Sequence, residues 1–155
     1  VEASSKRPDS PAVATAAIAA AYAAASERTC APLWLGGHSF GGRMASHAVI
    51  EHGLGPVGLI FCSFPLHPAG KPAAMRAAHL RKVYKPLLFL SGTRDALADG
   101  VLLADVVAGL PCAELHWLAT AYHGYRVRKR ERGMAQSVFD EMANAARAFV
   151  DRHAR

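Results

Sequence analysis

The sequence predicts a single α/β domain over residues 1–155, in three layers, with helices on both faces of a parallel sheet of about four strands. Four short segments are apolar almost throughout, and a segment with helical periodicity or composition follows each one. Strands that are buried on both faces read as continuous apolar runs, and parallel strands need a crossover helix between them. The 155 residues, 52% of them hydrophobic and 19% charged, suffice for one such domain with a real core.

The chain opens with a predicted surface connector over residues 1–10, followed by a predicted helix from Pro11 to Glu27. The connector is charged and contains proline, which favours an exposed loop. Ser10 is suited to cap the helix, proline is favoured in a first helical turn, and the alanine-rich composition favours helix. We assign no function to this helix.

Four strand–helix pairs make up the rest of the chain. Ligands of such sheets bind at the carboxyl ends of the strands, so the loops that follow the strands are where chemistry is expected. The predicted strands, each with the helix that follows it, are Ala31–Gly37 with Phe40–Gly53, Pro56–Phe64 with Ala73–Val83, Lys85–Gly92 with Ala96–Leu110, and Cys112–Thr120 with Met134–His153.

A serine between glycines joins the first strand to its helix, where residues 37–41 read Gly-His-Ser-Phe-Gly and fit G-x-S-x-G. A serine on so tight a turn needs very small residues two positions before and after it, which are Gly37 and Gly41 here. The turn would hold the Ser39 hydroxyl clear of the sheet. The backbone N–H of Phe40, at the helix N-terminus, would donate to a developing oxyanion. The motif therefore predicts Ser39 as a nucleophile, although glycine-rich turns also bind phosphate or merely reverse the chain.

Two later loops hold the partners that such a serine needs. A hydroxyl is a weak nucleophile until an imidazole takes its proton and a carboxylate orients the imidazole. Asp95 follows the third predicted strand and His123 follows the fourth, in the order Ser, Asp, His that serine nucleophiles on strand-to-helix turns show. Asp99 is the alternative carboxylate. Each residue also has a purely structural interpretation: a turn or cap for Asp95, packing for His123, and a small turn residue for Ser39.

The charge pattern gives no strong indication of a nucleic-acid partner. The net charge of +6 favours anions in general, but a positive charge alone does not identify a nucleic-acid protein. A basic stretch follows His123, and only two tyrosines lie near it, too few for a base-stacking platform. We interpret this stretch as a solvated loop. Its basic residues are Arg126, Arg128, Lys129, Arg130 and Arg132.

Neither a metal site nor a membrane segment is predicted. The eight histidines share no metal-ligand spacing, and the three cysteines show no C-x-x-C pair. Cysteines of this kind are expected to be reduced and in or near the core. The apolar run over residues 16–25 is too short to cross a bilayer, and the first residues lack the apolar segment of a signal peptide. We therefore expect no metal and no membrane partner.

Four stretches make the sequence resemble the dienelactone-hydrolase-like branch of the α/β-hydrolase fold, which includes the predicted hydrolases named after testis-expressed protein thirty. They read GGHSFGGRMAS, SFPLHPAGKP, LFLSGTRDALA and ELHWLATAYHGYRV. The similarity runs from about Leu33 to the last helix. It implies Ser39 as nucleophile, Asp95 as acid and His123 as base, in a cytoplasmic, cofactor-free enzyme acting on a small-molecule acyl substrate.

Two departures from the family pattern shape the expectations. Relatives often carry lysine where this chain has His38, and we do not count His38 among the catalytic residues. The family also has several strands before the nucleophile strand, and the loop after one of them gives a second oxyanion N–H. Here one helix precedes that strand, and the chain does not begin with methionine. We therefore expect a chain that lacks its N-terminal strands, or a partner chain at the open sheet edge.

Two hypotheses for function follow. The first is a serine hydrolase that cleaves a carboxylic ester or similar acyl substrate through an acyl-enzyme. The alternative is a catalytically silent hydrolase-fold protein that serves as an interaction module. The expected open sheet edge and the basic stretch support this alternative. Retention of all three residues in the order Ser, Asp, His argues against the alternative. Phosphate or nucleotide binding at the glycine turn is a weaker third interpretation.

Overall fold

The computed structural model describes residues 9–133 and 136–154, and it confirms the three-layer α/β architecture. Four parallel strands form one sheet in the order β1-β2-β3-β4. The first eight residues of the predicted connector lie outside the described residues. The strands are β1 Leu35–His38, β2 Leu59–Cys62, β3 Leu87–Gly92 and β4 Ala113–Leu118. The helices are α1 Pro11–Ser26, α2 Phe40–Glu51, α3 Gly100–Ala108, α4 Lys129–Arg132 and α5 Val138–His153, with a 3-10 helix at Met75–Lys82.

The strands are in register, so their carboxyl ends meet along one edge of the sheet. His38 at the end of β1 pairs with Cys62, Cys62 pairs with Leu90, and Leu90 pairs with His116. The loops after β1, β3 and β4 therefore start close together. All six residues of β3 are buried, as expected for a parallel strand covered on both faces.

Two apolar clusters, one on each face, hold the layers together. On one face α2, α3 and the 3-10 helix pack against the sheet around Phe61 and Phe89, whose ring centroids are 4.8 Å apart. On the other face α5 packs against Leu88 and Leu90 through Phe149. The apolar area that these clusters remove from water is the main force for folding.

Most elements differ from the prediction by one to four residues at one or both ends, and three helical segments differ in type or in their start. The segment predicted as a helix at Ala73–Val83 forms a 3-10 helix. The third crossover helix begins at Gly100 rather than at residue 96, because the Asp99 carboxylate caps it by accepting the N–H groups of Val101 and Leu102. The last helix begins at Val138 behind the cap Ser137, and residues 134 and 135 of its predicted start lie outside the described residues.

Other expectations are wrong in part. Cys30 and Cys112 are exposed because they lie in segments that lead into strands, and Cys62 in β2 is half-buried. The basic stretch is not wholly a solvated loop, since α4 lies within it. Arg132 is 7% exposed, donates to the carbonyl of Ala119 at 2.8 Å and pairs with Glu141. Across residues 9–133 and 136–154, no helix combines the length and the apolar character needed to cross a membrane.

Candidate active site

Ser39 occupies a strained turn between β1 and α2. Its backbone has φ 52° and ψ −121°, a region that residues with a side chain rarely adopt. The Ser39 N–H donates to the carbonyl of Cys62 at 2.8 Å, so the turn is fastened to the end of β2. This conformation places the serine at the carboxyl edge of the sheet, between the strand and the helix N-terminus.

Two glycines make this turn sterically feasible. A Cβ on Gly37 would lie 2.8 Å from the nitrogen of Gly42, and a Cβ on Gly42 would lie 2.5 Å from the oxygen of Gly37. A Cβ on Gly41 would meet no atom within 4 Å among the described residues. The close approach of strand and helix therefore requires Gly37 and Gly42, whereas the steric reason given for Gly41 by the motif does not apply in this structure.

Ser39, His123 and Asp95 lie in one hydrogen-bonded chain. His123 Nε2 is 2.8 Å from Ser39 Oγ, and His123 Nδ1 is 2.9 and 3.0 Å from the two carboxylate oxygens of Asp95. A carboxylate only accepts, so Nδ1 carries the proton and Nε2 is left to accept from the serine hydroxyl. The arrangement can move a proton from Ser39 to an imidazole that a carboxylate orients.

The carboxylate that accepts from His123 is that of Asp95 and not that of Asp99. The Asp95 side chain is fully buried, and its Oδ1 also accepts the N–H of Leu97 at 2.8 Å. Asp95 therefore stabilises the turn, as its structural interpretation predicts, and also contacts His123. Asp99 uses its carboxylate to cap α3.

His123 lies on a small closed loop after β4. Ala121 and Val127 form an antiparallel bridge, and the Tyr122 N–H donates to the carbonyl of Arg126 at 2.9 Å. Tyr125, with φ 62°, donates its N–H to the carbonyl of Tyr122 at 2.9 Å. The loop presents the imidazole, 24% exposed, toward Ser39.

His38 also contacts this loop, which the sequence did not indicate. Its Nε2 lies 3.0 Å from the carbonyl oxygen of His123, and the two rings are 5.1 Å apart. The signal that could have found it is its position, directly before the serine of the motif. The Phe40 N–H is at the first position of α2, where backbone N–H groups have no acceptor within the helix.

Two groups beneath the site stay neutral. Burial raises the pKa of Tyr125, which is 8% exposed, and burial likewise raises the pKa of the Cys62 thiol. Desolvation disfavours the charged form of either group. Both side chains therefore keep their protons near neutral pH.

One side of the His123 loop is positively charged. The guanidinium groups of Arg94 and Arg126 lie over the ring of Tyr122, at 5.7 and 5.3 Å from its centroid. Arg128 donates to the Tyr122 hydroxyl at 3.0 Å, and this hydrogen bond lowers the pKa of that exposed phenol. Glu131 pairs with Arg94 and Arg128 and offsets part of the charge.

His67 is a structural histidine. It is 3% exposed, its Nδ1 donates to the carbonyl of Pro68 at 2.8 Å, and its Nε2 accepts the N–H of Asp99 at 2.8 Å. Both ring nitrogens are thus engaged in fastening the loop after β2 to the start of α3. In the described ranges, no group of three or more His, Cys, Asp or Glu residues is placed to hold a metal ion.

Comparisons with known proteins agree with this architecture. A family model described as an alpha/beta hydrolase domain matches residues 1–151. A structure of an alpha-beta serine hydrolase homologue from Coxiella burnetii is similar, with a TM-score of 0.65 and 16% identity. The similarity covers 98% of this chain and 64% of that one, so the chain spans less than two thirds of that protein.

Two further structures are similar to the chain. The monoacylglycerol lipase of Paleococcus ferrophilus has a TM-score of 0.65 and 14% identity, over 94% of this chain and 77% of that one. The esterase domain of a Rhodothermus marinus protein has a TM-score of 0.64 and 18% identity, over 91% of this chain and 69% of that one. At such identities the likeness shows a common fold.

Proposed function

The chain belongs to the alpha/beta hydrolase domain family, and on that premise we propose that it is a serine hydrolase that cleaves a carboxylic ester or a similar acyl substrate. The observation that carries the proposal is the chain of contacts from Asp95 through His123 to Ser39, with His123 Nε2 2.8 Å from the serine oxygen. A nucleophile, a base and an orienting carboxylate within hydrogen-bond reach are what acyl transfer requires.

In the proposed mechanism, His123 Nε2 takes the hydroxyl proton as Ser39 Oγ attacks the substrate carbonyl carbon. The carbonyl π electrons move onto oxygen, which the Phe40 N–H stabilises, and buried Asp95 stabilises the imidazolium that forms. His123 then gives its proton to the departing alcohol as the acyl–oxygen bond breaks. Water then gives a proton to His123 Nε2 as it attacks the acyl carbon. The bond from that carbon to Ser39 Oγ breaks, the carboxylic acid leaves, and His123 returns the proton to Ser39.

The positive side of the His123 loop supports no separate activity in this proposal. It surrounds Tyr122 next to the base and is partly neutralised by Glu131. No nucleic-acid partner is proposed, and the substrate is a small acyl compound.

Finer assignments are proposals of the same kind. We place the chain in the dienelactone-hydrolase-like branch on its four quoted stretches, as a cofactor-free enzyme. The free thiols of Cys30, Cys62 and Cys112 suit a reducing compartment and support a cytoplasmic location. The second oxyanion donor is proposed to come from a segment that pairs with β1, the strand at one edge of the described sheet. That segment belongs either to a longer form of this chain or to a partner.

The β1 edge, which pairs with no further strand among the described residues, is also the observation that favours the alternative, a catalytically silent interaction module. An unpaired strand edge is a template for another chain. The contacts of Asp95 and Ser39 with His123 favour the enzyme, because a module that only binds has no need of a serine, an imidazole and a carboxylate in line.

A fluorophosphonate probe, which phosphonylates activated serines, separates the two hypotheses. We expect the folded chain to be labelled, and labelling to be lost in Ser39→Ala and in His123→Ala. Matched controls are Ser26→Ala and His52→Ala, which change the same residue types at exposed positions away from the site. A Ser39→Ala variant labelled as fast as the parent chain would rule out the proposed nucleophile. A folded parent chain that is still unlabelled when a segment pairs with β1 would favour the interaction module.

A further inference from the structure

His38 joins the nucleophile strand directly to the loop that carries the base. It is the last residue of β1 and precedes Ser39, yet its Nε2 lies 3.0 Å from the carbonyl oxygen of His123, 85 positions later in the chain. A carbonyl oxygen only accepts, so His38 Nε2 carries the proton and donates it. The ring of His38 is also 5.1 Å from the ring of His123 and 5.6 Å from that of Tyr125.

The loop that carries His123 is also held at its start, where the Arg94 N–H donates to the carbonyl of Ala121 at 2.9 Å, but this contact lies two positions before His123. The bridge between Ala121 and Val127 and the bond from Tyr122 to Arg126 fix the shape of the loop, but they lie within it. Asp95 holds the imidazole at Nδ1 and fixes its tautomer and direction. The bond from His38 instead holds the backbone of His123 itself, and it holds it to β1.

This placement matters because proton transfer depends on the distance between His123 Nε2 and Ser39 Oγ, which is 2.8 Å. A displacement of about 1 Å at a reacting group can cost on the order of 100-fold in rate. The Ser39 turn is anchored to β1 and β2 through the strand and its N–H bond to Cys62. A donor on β1 that fastens the base to the same strand therefore sets the relative position of nucleophile and base.

We propose that His38 is a positioning residue for the base: its Nε2–H donates to the His123 carbonyl and holds the imidazole at hydrogen-bond distance from Ser39. This role rests on the proposed function and adds to it a residue that does not itself touch substrate. A hydrogen bond contributes about 0.5–1.5 kcal/mol net, which converts to about a two- to tenfold change in rate.

The test compares His38→Phe, which keeps an aromatic ring but loses the donor, with His38→Gln, which restores an N–H donor on a side chain without a ring. The readout is phosphonylation by the fluorophosphonate probe, resolved into the maximal rate and the concentration for half-maximal rate. We expect His38→Phe to lower the maximal rate about two- to tenfold at an unchanged half-saturating concentration, and His38→Gln to recover most of it. His52→Phe, the same change at an exposed position at the end of α2, should leave both values unchanged.

A second readout does not depend on catalysis. The proton on His123 Nδ1, shared with Asp95, should give a far-downfield ¹H resonance, assigned by its absence in His123→Ala. In His38→Phe this resonance should broaden or shift, and in His38→Gln it should return close to its original place, because glutamine restores the N–H donor that phenylalanine lacks.

Four results decide the matter. Slower labelling with recovery in His38→Gln supports the role. Labelling of His38→Phe at the parent rate overturns it. Equal impairment of both variants also overturns it, because restoring an N–H donor would then not restore the labelling rate. A folded parent chain that is not labelled contradicts the proposed function alone, and the resonance then decides: if it is unchanged in His38→Phe, the positioning role is wrong.

Discussion

Asp95 and Asp99 are four positions apart, and their carboxylates accept hydrogen bonds from different groups. Asp95 is fully buried and accepts from His123 Nδ1, whereas Asp99 accepts the first N–H groups of α3. Asp95→Asn exchanges a carboxylate oxygen for an amide that can donate, which favours the tautomer with the proton on Nε2. We expect the phosphonylation rate to fall by on the order of 10³- to 10⁴-fold.

Asp99→Asn is the matched control for this prediction. Asparagine is as good an N-cap as aspartate, so both the labelling rate and the stability should remain close to those of the parent chain. A loss of labelling that is as large in Asp99→Asn as in Asp95→Asn would contradict the assignment of Asp95 as the partner of the base. Thermal melts of both variants verify that the fold is kept.

The individual residues differ in how readily the sequence reveals them. Ser39, Asp95 and His123 could be picked out because each lies in a loop after a predicted strand, and register alone brings such loops together. The position of His38 directly before Ser39 marks it as close to the site, but its bond cannot be predicted, since the acceptor is a backbone carbonyl whose position depends on the conformation of a loop 85 residues later. The burial of Arg132 cannot be predicted from the sequence for a similar reason, because its partner Glu141 lies on another helix.

The strand–turn–helix unit that holds Ser39 depends on the close approach of the backbones of Gly37 and Gly42, which leaves no space for a side chain on either residue. Gly42→Ala would place a methyl group 2.5 Å from the Gly37 oxygen, a backbone atom that cannot move without the strand. We expect the free energy of unfolding to fall by about 1–3 kcal/mol. Gly41→Ala has open space and stands in the same helix, so its stability should be unchanged or raised by up to about 1 kcal/mol. Urea denaturation followed by circular dichroism measures both, and equal stability of the two variants would refute the steric argument.

The contact of α2 with the 3-10 helix is expected to be sensitive to acid. His79 stacks on His47 at 3.7 Å between ring centroids, and its Nε2 lies 2.8 Å from buried Ser46 Oγ. Burial, followed by the nearby His47 and Arg43, lowers the pKa of His79 to about 4. Burial also lowers the pKa of His47, against the opposing charge of Glu51.

The direction of the pH effect follows from where the proton binds. Between about pH 6.5 and pH 4 the unfolded chain protonates His79 and the folded chain does not, so the free energy of unfolding should fall as the pH is lowered through this window. His79→Gln should flatten this slope, whereas His52→Gln, an exposed control, should not. Urea midpoints at a series of pH values measure it, and an unchanged slope in His79→Gln would contradict the prediction.

Element bounds followed from the sequence where a cap was visible. Ser10 caps α1 by accepting the N–H of Val13, and Pro11 stands at the first helical position, as predicted. The predicted start of α3, at residue 96, is too early because the Asp99 carboxylate caps the helix at Gly100. A carboxylate near a helix start can cap the helix or orient a base, and only its neighbours in space decide which.

The three layers of the molecule depend on one another through α5. This helix covers the sheet face around Leu88 and Leu90, and its Phe149 is fully buried with its ring 5.8 Å from that of Trp34, which precedes β1. The same apolar cluster includes Tyr125 of the His123 loop. Phe149 therefore connects the packing beneath β1 with the packing beneath the base.

Removing the Phe149 side chain should weaken the fold as a whole and not the helix alone. A buried phenylalanine cut to alanine costs about 3–5 kcal/mol, which is a large part of the ~5–15 kcal/mol by which a domain is stable. Phe139→Ala, on the same helix but 63% exposed, should cost less than about 1 kcal/mol. Tryptophan fluorescence and circular dichroism during urea denaturation measure the change.

In Phe149→Ala both signals and the labelling of Ser39 should be lost together at a lower urea concentration, because the base loop and the sheet share this cluster. Loss of labelling well before the two structural signals would mean that the site is coupled to the core less tightly than the packing around Phe149 indicates.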